Sequence, residues 1–147
     1  MRLRCRGIAA VVALGALVYA GSAQACSCTR IAPEAAIREA DAVIVGRLIA
    51  VVPRNAYRSE FRYEVVRSYK GGRAVRAGRT ISVLSAPKGS SCGLPTELGR
   101  HYGLFLSRQE DWWRGGLCAA MAPRRLASAE RAAANAKASS SPLSCNS

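Results

Sequence analysis

Asp41–Val52, DAVIVGRLIAVV, is a β-branched, apolar stretch with no turn residue inside it except Gly46. Its length and composition suit a long strand that bends at the glycine, where a missing Cβ lets the chain kink. A strand of that kind needs partners, and the sequence downstream supplies them at hairpin spacing. In YRSEFRYEVVRSYKGG (Tyr57–Gly72), Phe61, Tyr63 and Val65 alternate with Arg62 and Glu64, the pattern of a half-buried strand closed by a Gly71-Gly72 turn. TISVLS (Thr80–Ser85) makes a third strand that stops before Pro87, and HYGLFLS (His101–Ser107) a fourth. Between them runs the loop PKGSSCGLPTELG, which carries Cys92. WWRGG (Trp112–Gly116) reads as a turn and LCAAM (Leu117–Met121) as a short fifth strand.

Helical signals flank this block. APEAAIREA (Ala32–Ala40) places Pro33 in a first turn, and Glu34 sits near the positive end of the helix dipole. Beyond Pro123, RLASAERAAANAKA has high helix propensity. Five strands with a helix at either end predict a mainly β domain, and a five-stranded Greek-key barrel of the OB-fold type matches the size.

The N-terminal residues have a different character. Three arginines, an apolar run from Ile8 to Ala20 and the small-x-small triplet Ala23-Gln24-Ala25 form an export signal. The run is shorter than the roughly 20 residues that cross a bilayer, and no later stretch approaches that length, so no transmembrane segment is expected. The expected organisation is a signal peptide over residues 1–25, one domain over 26–138 and a Ser-rich tail over 139–147. The product is expected to be secreted, extracellular or periplasmic.

Cleavage after Ala25 takes the formal charge from +13 to +10 by removing Arg2, Arg4 and Arg6. A basic balance of that size attracts acidic polymers through long-range fields. Trp112 and Trp113 are the candidates for base stacking, but adjacent residues at a strand end point to opposite faces. One is therefore assigned to the core and the other to loop cover. With the export signal, this argues against nucleic acid as the partner.

Catalytic constellations are sparse. His101 is the single histidine, so it alone could anchor a Ser/His/Asp or Cys/His set. Glu60 and Glu64 sit beside arginines that would solvate them. No Gly-rich phosphate loop, Cys-x-x-Cys motif or second histidine supports a cofactor or a resident metal. The chain is expected not to be an enzyme and to carry no cofactor.

The cysteines carry more. Cys5 leaves with the signal, and Cys26, Cys28, Cys92, Cys118 and Cys145 remain, an odd number for an oxidising compartment. Cys26 and Cys28 can clamp the N-terminal segment onto the strands through disulfides to Cys92 and Cys118, each closing a long loop. If cleavage makes Cys26 the first residue, its α-amine and its carbonyl oxygen can together chelate a metal in a five-membered ring. The amine's ordinary pKa of about 7.7–8.0 lets it lose its proton to a strong Lewis acid at neutral pH. A catalytic zinc in a protease keeps one coordination position for water, and a rigid N-terminus could occupy it. Ser27 would then point onward into the substrate side-chain pocket.

Five stretches together resemble the N-terminal, netrin-like domain of the tissue inhibitors of metalloproteinases: CSC (Cys26–Cys28), EADAVIVGR (Glu39–Arg47), YEVVRSYKG (Tyr63–Gly71), SAPKGSSCG (Ser85–Gly93) and LCAAMAP (Leu117–Pro123). They fall in the family's order from Cys26 to about Ala129. The resemblance implies an OB-fold barrel with disulfides Cys26–Cys92 and Cys28–Cys118. It further implies that the Cys26 amine and carbonyl bind the zinc of a target metalloendopeptidase and that Ser27 enters the specificity pocket. Cys28, Thr29, Ser90 and Ser91 complete the inhibitory wedge. Two positions depart from the family. Arg38 stands where it has the cysteine that would pair with the last one, which leaves Cys145 unpaired, and Arg30 replaces a proline.

Two other readings follow from the same residues. One is a netrin-like binding module without inhibitory function, whose arginines recognise acidic envelope or matrix polymers. The other, less favoured because Ala23-Gln24-Ala25 lacks the usual leucine pattern, is a lipoprotein acylated at Cys26. Acylation would consume both the thiol and the amine.

Overall fold

The structure is a computed structural model that describes Cys28 and residues 32–139. In chain order it comprises helix α1 (Pro33–Glu39), strands β1 (Ala42–Asn55) and β2 (Arg58–Lys70), a 3-10 turn (Gly72–Val75), and strands β3 (Thr80–Ser85), β4 (His101–Gln109) and β5 (Trp112–Arg114). A second 3-10 turn (Leu117–Ala119), strand β6 (Ala120–Met121) and helix α2 (Pro123–Ser139) follow. The six strands make one mixed sheet in the order β1-β2-β3-β5-β4-β6, with β1 also paired to β4.

The apolar start of β1, Ala42–Gly46, has a physical reason: both of its faces are covered. Ala42, Ile44 and Leu48 enter one core cluster with Phe61, Tyr63, Val83, Leu104 and Leu106. Val43 and Val45 enter a second, with Ile37 of α1, Phe105 of β4 and Leu126 and Ala129 of α2. A strand with one wet face would alternate; one buried on both faces need not. β2 has only its inner face in the first cluster, and its sequence alternates accordingly.

A bend is expected at Gly46, and one of four irregularities in the β1–β2 register falls there. The β1–β2 pairing slips between Val45 and Gly46, and a Cβ at Gly46 would lie 3.1 Å from the Tyr63 Cβ. The glycine therefore lets the tyrosine ring close against β1, a close approach that a side chain would obstruct.

The expected five-stranded OB-fold Greek-key barrel is corrected by the sheet itself, and the netrin-like, inhibitor-family fold expected with it is corrected too. The architecture is a six-stranded mixed sheet with flanking helices. Two short segments account for the difference. Trp112–Arg114, expected as a turn, is β5, antiparallel to β4 and parallel to β3 through Val83 and Leu84. The turn falls one step earlier, on Glu110-Asp111, where Glu110 adopts φ +52°. An acidic pair tightened the hairpin, and the more obvious Gly115-Gly116 did not. Leu117–Met121, expected as one strand, is a 3-10 turn followed by the two-residue β6, which pairs with Gly103 and Leu104.

α2 runs to Ser139, and residues 140–147, including Cys145 and most of the expected tail, lie outside the described residues. Its anchor is Leu126, fully buried in the second cluster. Truncating that side chain leaves a cavity between helix and sheet that both must keep. Leu126→Ala should lower the unfolding free energy by about 2–5 kcal/mol in a urea titration; a loss below about 0.5 kcal/mol would mean that α2 does not depend on this contact.

Candidate functional site

The cysteine clamp is partly visible. Cys28 is joined to Cys118, with Cα atoms 5.4 Å apart and 90 residues of chain between them. Cys92 is also disulfide-bonded. Cys26, Ser27, Thr29 and Arg30 lie outside the described residues, as does the Cys26–Cys92 pairing.

The strands bring the two sequence-distant half-cystines to one place. Cys118 sits in the 3-10 turn after β5, and Cys92 in the loop after β3. The Leu117 N–H donates to the Cys92 carbonyl at 3.1 Å, which ties turn and loop directly. The loop is held from below by two buried serines. Ser59 Oγ accepts from the Lys88 N–H at 3.0 Å, and Ser85 Oγ accepts from the Leu94 N–H at 3.1 Å. Within it, Ser90 N–H donates to the Pro87 carbonyl at 2.9 Å and Gly93 N–H to the Ser90 carbonyl at 3.1 Å. Ser90 Oγ accepts from the Cys92 N–H at 3.2 Å, so Ser90 fixes the conformation of the half-cystine. Ser91 is exposed beside it, its Oγ 3.9 Å from the Cys92 sulfur. Five of the residues singled out from sequence, Cys28, Ser90, Ser91, Cys92 and Cys118, thus converge on one end of the sheet.

Cys92 and Cys118 both border a groove of about 680 Å³. Leu84, Phe105 and Leu106 form apolar parts of its wall, while Arg58, Arg114 and Glu39 bring charge to it. Tyr57 also lines it, from the two-residue tip of the β1–β2 hairpin, and is 83% exposed. Sequence reasoning passed over Tyr57. Its signal was Asn55, whose side-chain oxygen accepts from the Tyr57 N–H at 2.9 Å and shapes the tip.

The other candidates do not join this site. His101 opens β4 opposite Arg47, is exposed, and does not line the groove. The tryptophans divide as expected: Trp113 is buried and Trp112 half-buried. Arg108 lies 4.9 Å from the Trp113 ring centroid and Arg54 5.7 Å from that of Trp112, so each ring already has a cation over it. Among the described residues, no group of three or more His, Cys, Asp or Glu side chains could hold a metal ion.

Glu60 and Glu64 belong to separate arginine pairs. Glu64 accepts from Arg47 on the surface. Glu60 has the arginine neighbours expected for it, but it is only 4% exposed and lies in a network. Arg62 Nε and Ser82 Oγ each donate to its Oε1 at 2.8 Å, and Arg54 approaches Oε2 at 3.5 Å. The Arg62 hydrogen bond holds the Glu60 carboxyl below its ordinary 4.5, outweighing the opposite pull of burial. This is a structural ion network beneath the hairpin.

No protein-family model matches the sequence, and no curated protein matches it. The functional reading therefore rests on the motifs and on this geometry. Among the described residues, no helix is long and apolar enough to cross a membrane.

Two measurements check the site's physical account. Replacing Cys28 and Cys118 together by alanine frees a loop spanning 90 residues and should cost about 2–5 kcal/mol of stability. Equal denaturation midpoints of the parent and the double variant would contradict this. For Glu60 the sign is set by its depressed pKa: the stabilisation is present above about pH 4.5 and is lost as pH falls through the folded-state value. Glu60→Gln should be less stable by about 1–3 kcal/mol at pH 7, with the difference from the parent shrinking in acid. A pH-independent difference would count against the network.

Proposed function

We propose that the mature chain is a secreted binding protein that inhibits a zinc metalloendopeptidase, with Cys26 as the zinc-chelating first residue. The observation that carries this reading is the Cys28–Cys118 disulfide. It fixes a residue only two positions from the N-terminus that cleavage after Ala25 would create, on a turn bonded to the Cys92 loop. The order of the cysteines Cys26, Cys28, Cys92 and Cys118, which resembles that of the metalloproteinase inhibitors, supports the same reading.

The chemistry follows from the anchor. A free amine and carbonyl at Cys26 form a bidentate ligand for the protease zinc, and in that position they displace the water that would attack a peptide bond. Ser27 enters the side-chain pocket next to the zinc, while Thr29, Ser90 and Ser91 flank the wedge. Ordering the wedge in advance lowers the entropy lost on binding. Zinc belongs to the target, and the chain needs no cofactor of its own.

The test compares the protein beginning at Cys26 with a form carrying one extra alanine before it, against a panel of zinc endopeptidases. The first should inhibit, and the second should be weaker by at least roughly 100-fold, because the amine that binds the metal has moved. Equal potency of both forms, or none from either, would sink the mechanism. Intact mass and N-terminal sequencing of the exported protein should give a free amine on Cys26; a diacylglyceryl adduct there would rule the wedge out.

A further inference from the structure

From Val65 to Thr96 the chain contains no aspartate or glutamate, yet it carries Arg67, Lys70, Arg73, Arg76, Arg79 and Lys88. We infer that the β2–β3 connection, through Arg73, Arg76 and Arg79, is a docking surface for an acidic polysaccharide, separate from the disulfide-held groove.

The connection is built to hold its shape. Val75 is fully buried, and Gly71 at φ +118° lets the chain turn onto β1, where a Cβ would come within 2.5 Å of Val75 Cγ2 and 2.7 Å of Ala42 Cβ. The Gly78 N–H donates to the Val65 carbonyl, and the Val65 N–H to the Arg79 carbonyl, both at 2.8 Å. The Arg79 N–H closes a turn onto the Arg76 carbonyl at 3.3 Å. The arginines recur every third residue along this pinned backbone, so little order remains to be imposed on the main chain when a ligand binds.

All three are exposed, and none makes an ion pair with the described residues. The neighbouring cation, Lys70, is different: its Nζ donates to the carbonyls of Ile37 and Arg38 at 3.3 and 2.9 Å and so caps the end of α1. The nearest carboxylate in sequence, Glu64, is engaged by Arg47. Three guanidinium forks, always charged and suited to two-point contact with oxyanions, are left for an external partner.

The surroundings select the kind of partner. Ala74, Ala77 and Gly78 are small residues between the arginines, and Gly72 precedes the first of them. The exposed large hydrophobics, Ile49, Tyr57, Val66, Leu98 and Leu117, all lie outside residues 71–79. With no aromatic in the connection, it has no platform for nucleic-acid bases. Without a bulky exposed side chain, it has nothing to insert among acyl chains. A saccharide chain bearing sulfate or carboxylate groups asks for neither. β3 runs from this connection at Thr80 to the groove at Leu84 and Ser85, so the two surfaces lie at opposite ends of one strand.

Immobilised heparin serves as the probe, with three forms of the mature protein: the parent, R73Q/R76Q/R79Q, and R124Q/R125Q/R131Q, which removes the same charge from α2. The first triple variant should lose roughly tenfold or more in affinity at about 0.1 M salt and show a shallower salt dependence, whereas the α2 variant should lose less than about threefold. The single variant R76Q should show a smaller loss in the same direction and covers the case in which the triple variant is poorly folded. Equal losses from both triple variants would reduce the effect to net charge and overturn the assignment. Tighter binding to anionic vesicles or to single-stranded oligonucleotide than to heparin would overturn the choice of partner. Extending the N-terminus by one alanine should leave heparin retention unchanged, which separates this surface from the wedge.

Discussion

β1 is the element on which the rest of the molecule depends, because its first part, Ala42–Gly46, is buried on both faces and paired on both edges. β2 takes one edge from Val43 to Asn55, and β4 takes the other from Ala42 to Arg47. The two hydrophobic clusters meet at this strand. A polar side chain between Ala42 and Val45 would leave an unsatisfied group in one core or the other, a cost of the order of 1–3 kcal/mol even before packing is counted. That constraint explains why the run lacks the alternation of an ordinary surface strand. It also explains why both helices sit where they do: Ile37, Leu126 and Ala129 are what cover its second face.

The candidate site is a consequence of where the strands end. β3 delivers the Cys92 loop and β5 delivers the Cys118 turn, and a single backbone hydrogen bond, Leu117 to Cys92, holds them together. The Cys92 loop has no regular structure of its own to define its position. Buried Ser59 and Ser85 do that work by accepting loop N–H groups, which anchors the irregular segment to the regular sheet. The Cys28–Cys118 bond then ties Cys28 to the same end of the sheet. A covalent link across so long a stretch acts mainly by removing alternatives from the unfolded chain.

The strands rich in β-branched and alternating residues were legible from sequence, since burial dictated their composition directly: β1, β2, β3 and β4 start or end close to the expected positions. The short ones were not. Trp112–Arg114 is three residues long and shows no period, and its parallel partnership with Val83 and Leu84 is a non-local choice that no local signal records. The same limit applied to charge. Glu60 alternates with core residues and looks like a surface group, but strand β3 places Ser82 over it, and Arg54 reaches back from the hairpin. Its burial is set by a neighbour in space. The cysteine cluster was legible to a greater extent, because a covalent bond demands proximity whatever the path of the chain.

The distribution of carboxylates along β2 and β3 separates two roles for arginine in this protein. Around Glu60, Arg54 and Arg62 surround a buried anion, and the network is internally compensated. Past Glu64 the acidic residues stop, and the arginines of the β2–β3 connection face solvent with no such partner among the described residues. Three like charges within seven residues of exposed chain add nothing to stability by themselves, and water and salt screen them. Three exposed arginines on a backbone pinned by Val75 and Gly78 are thus not required by packing, which at this connection falls to the buried Val75. Arg73, Arg76 and Arg79 add nothing to the core, and the inferred polysaccharide surface is the role that their exposed charge would serve.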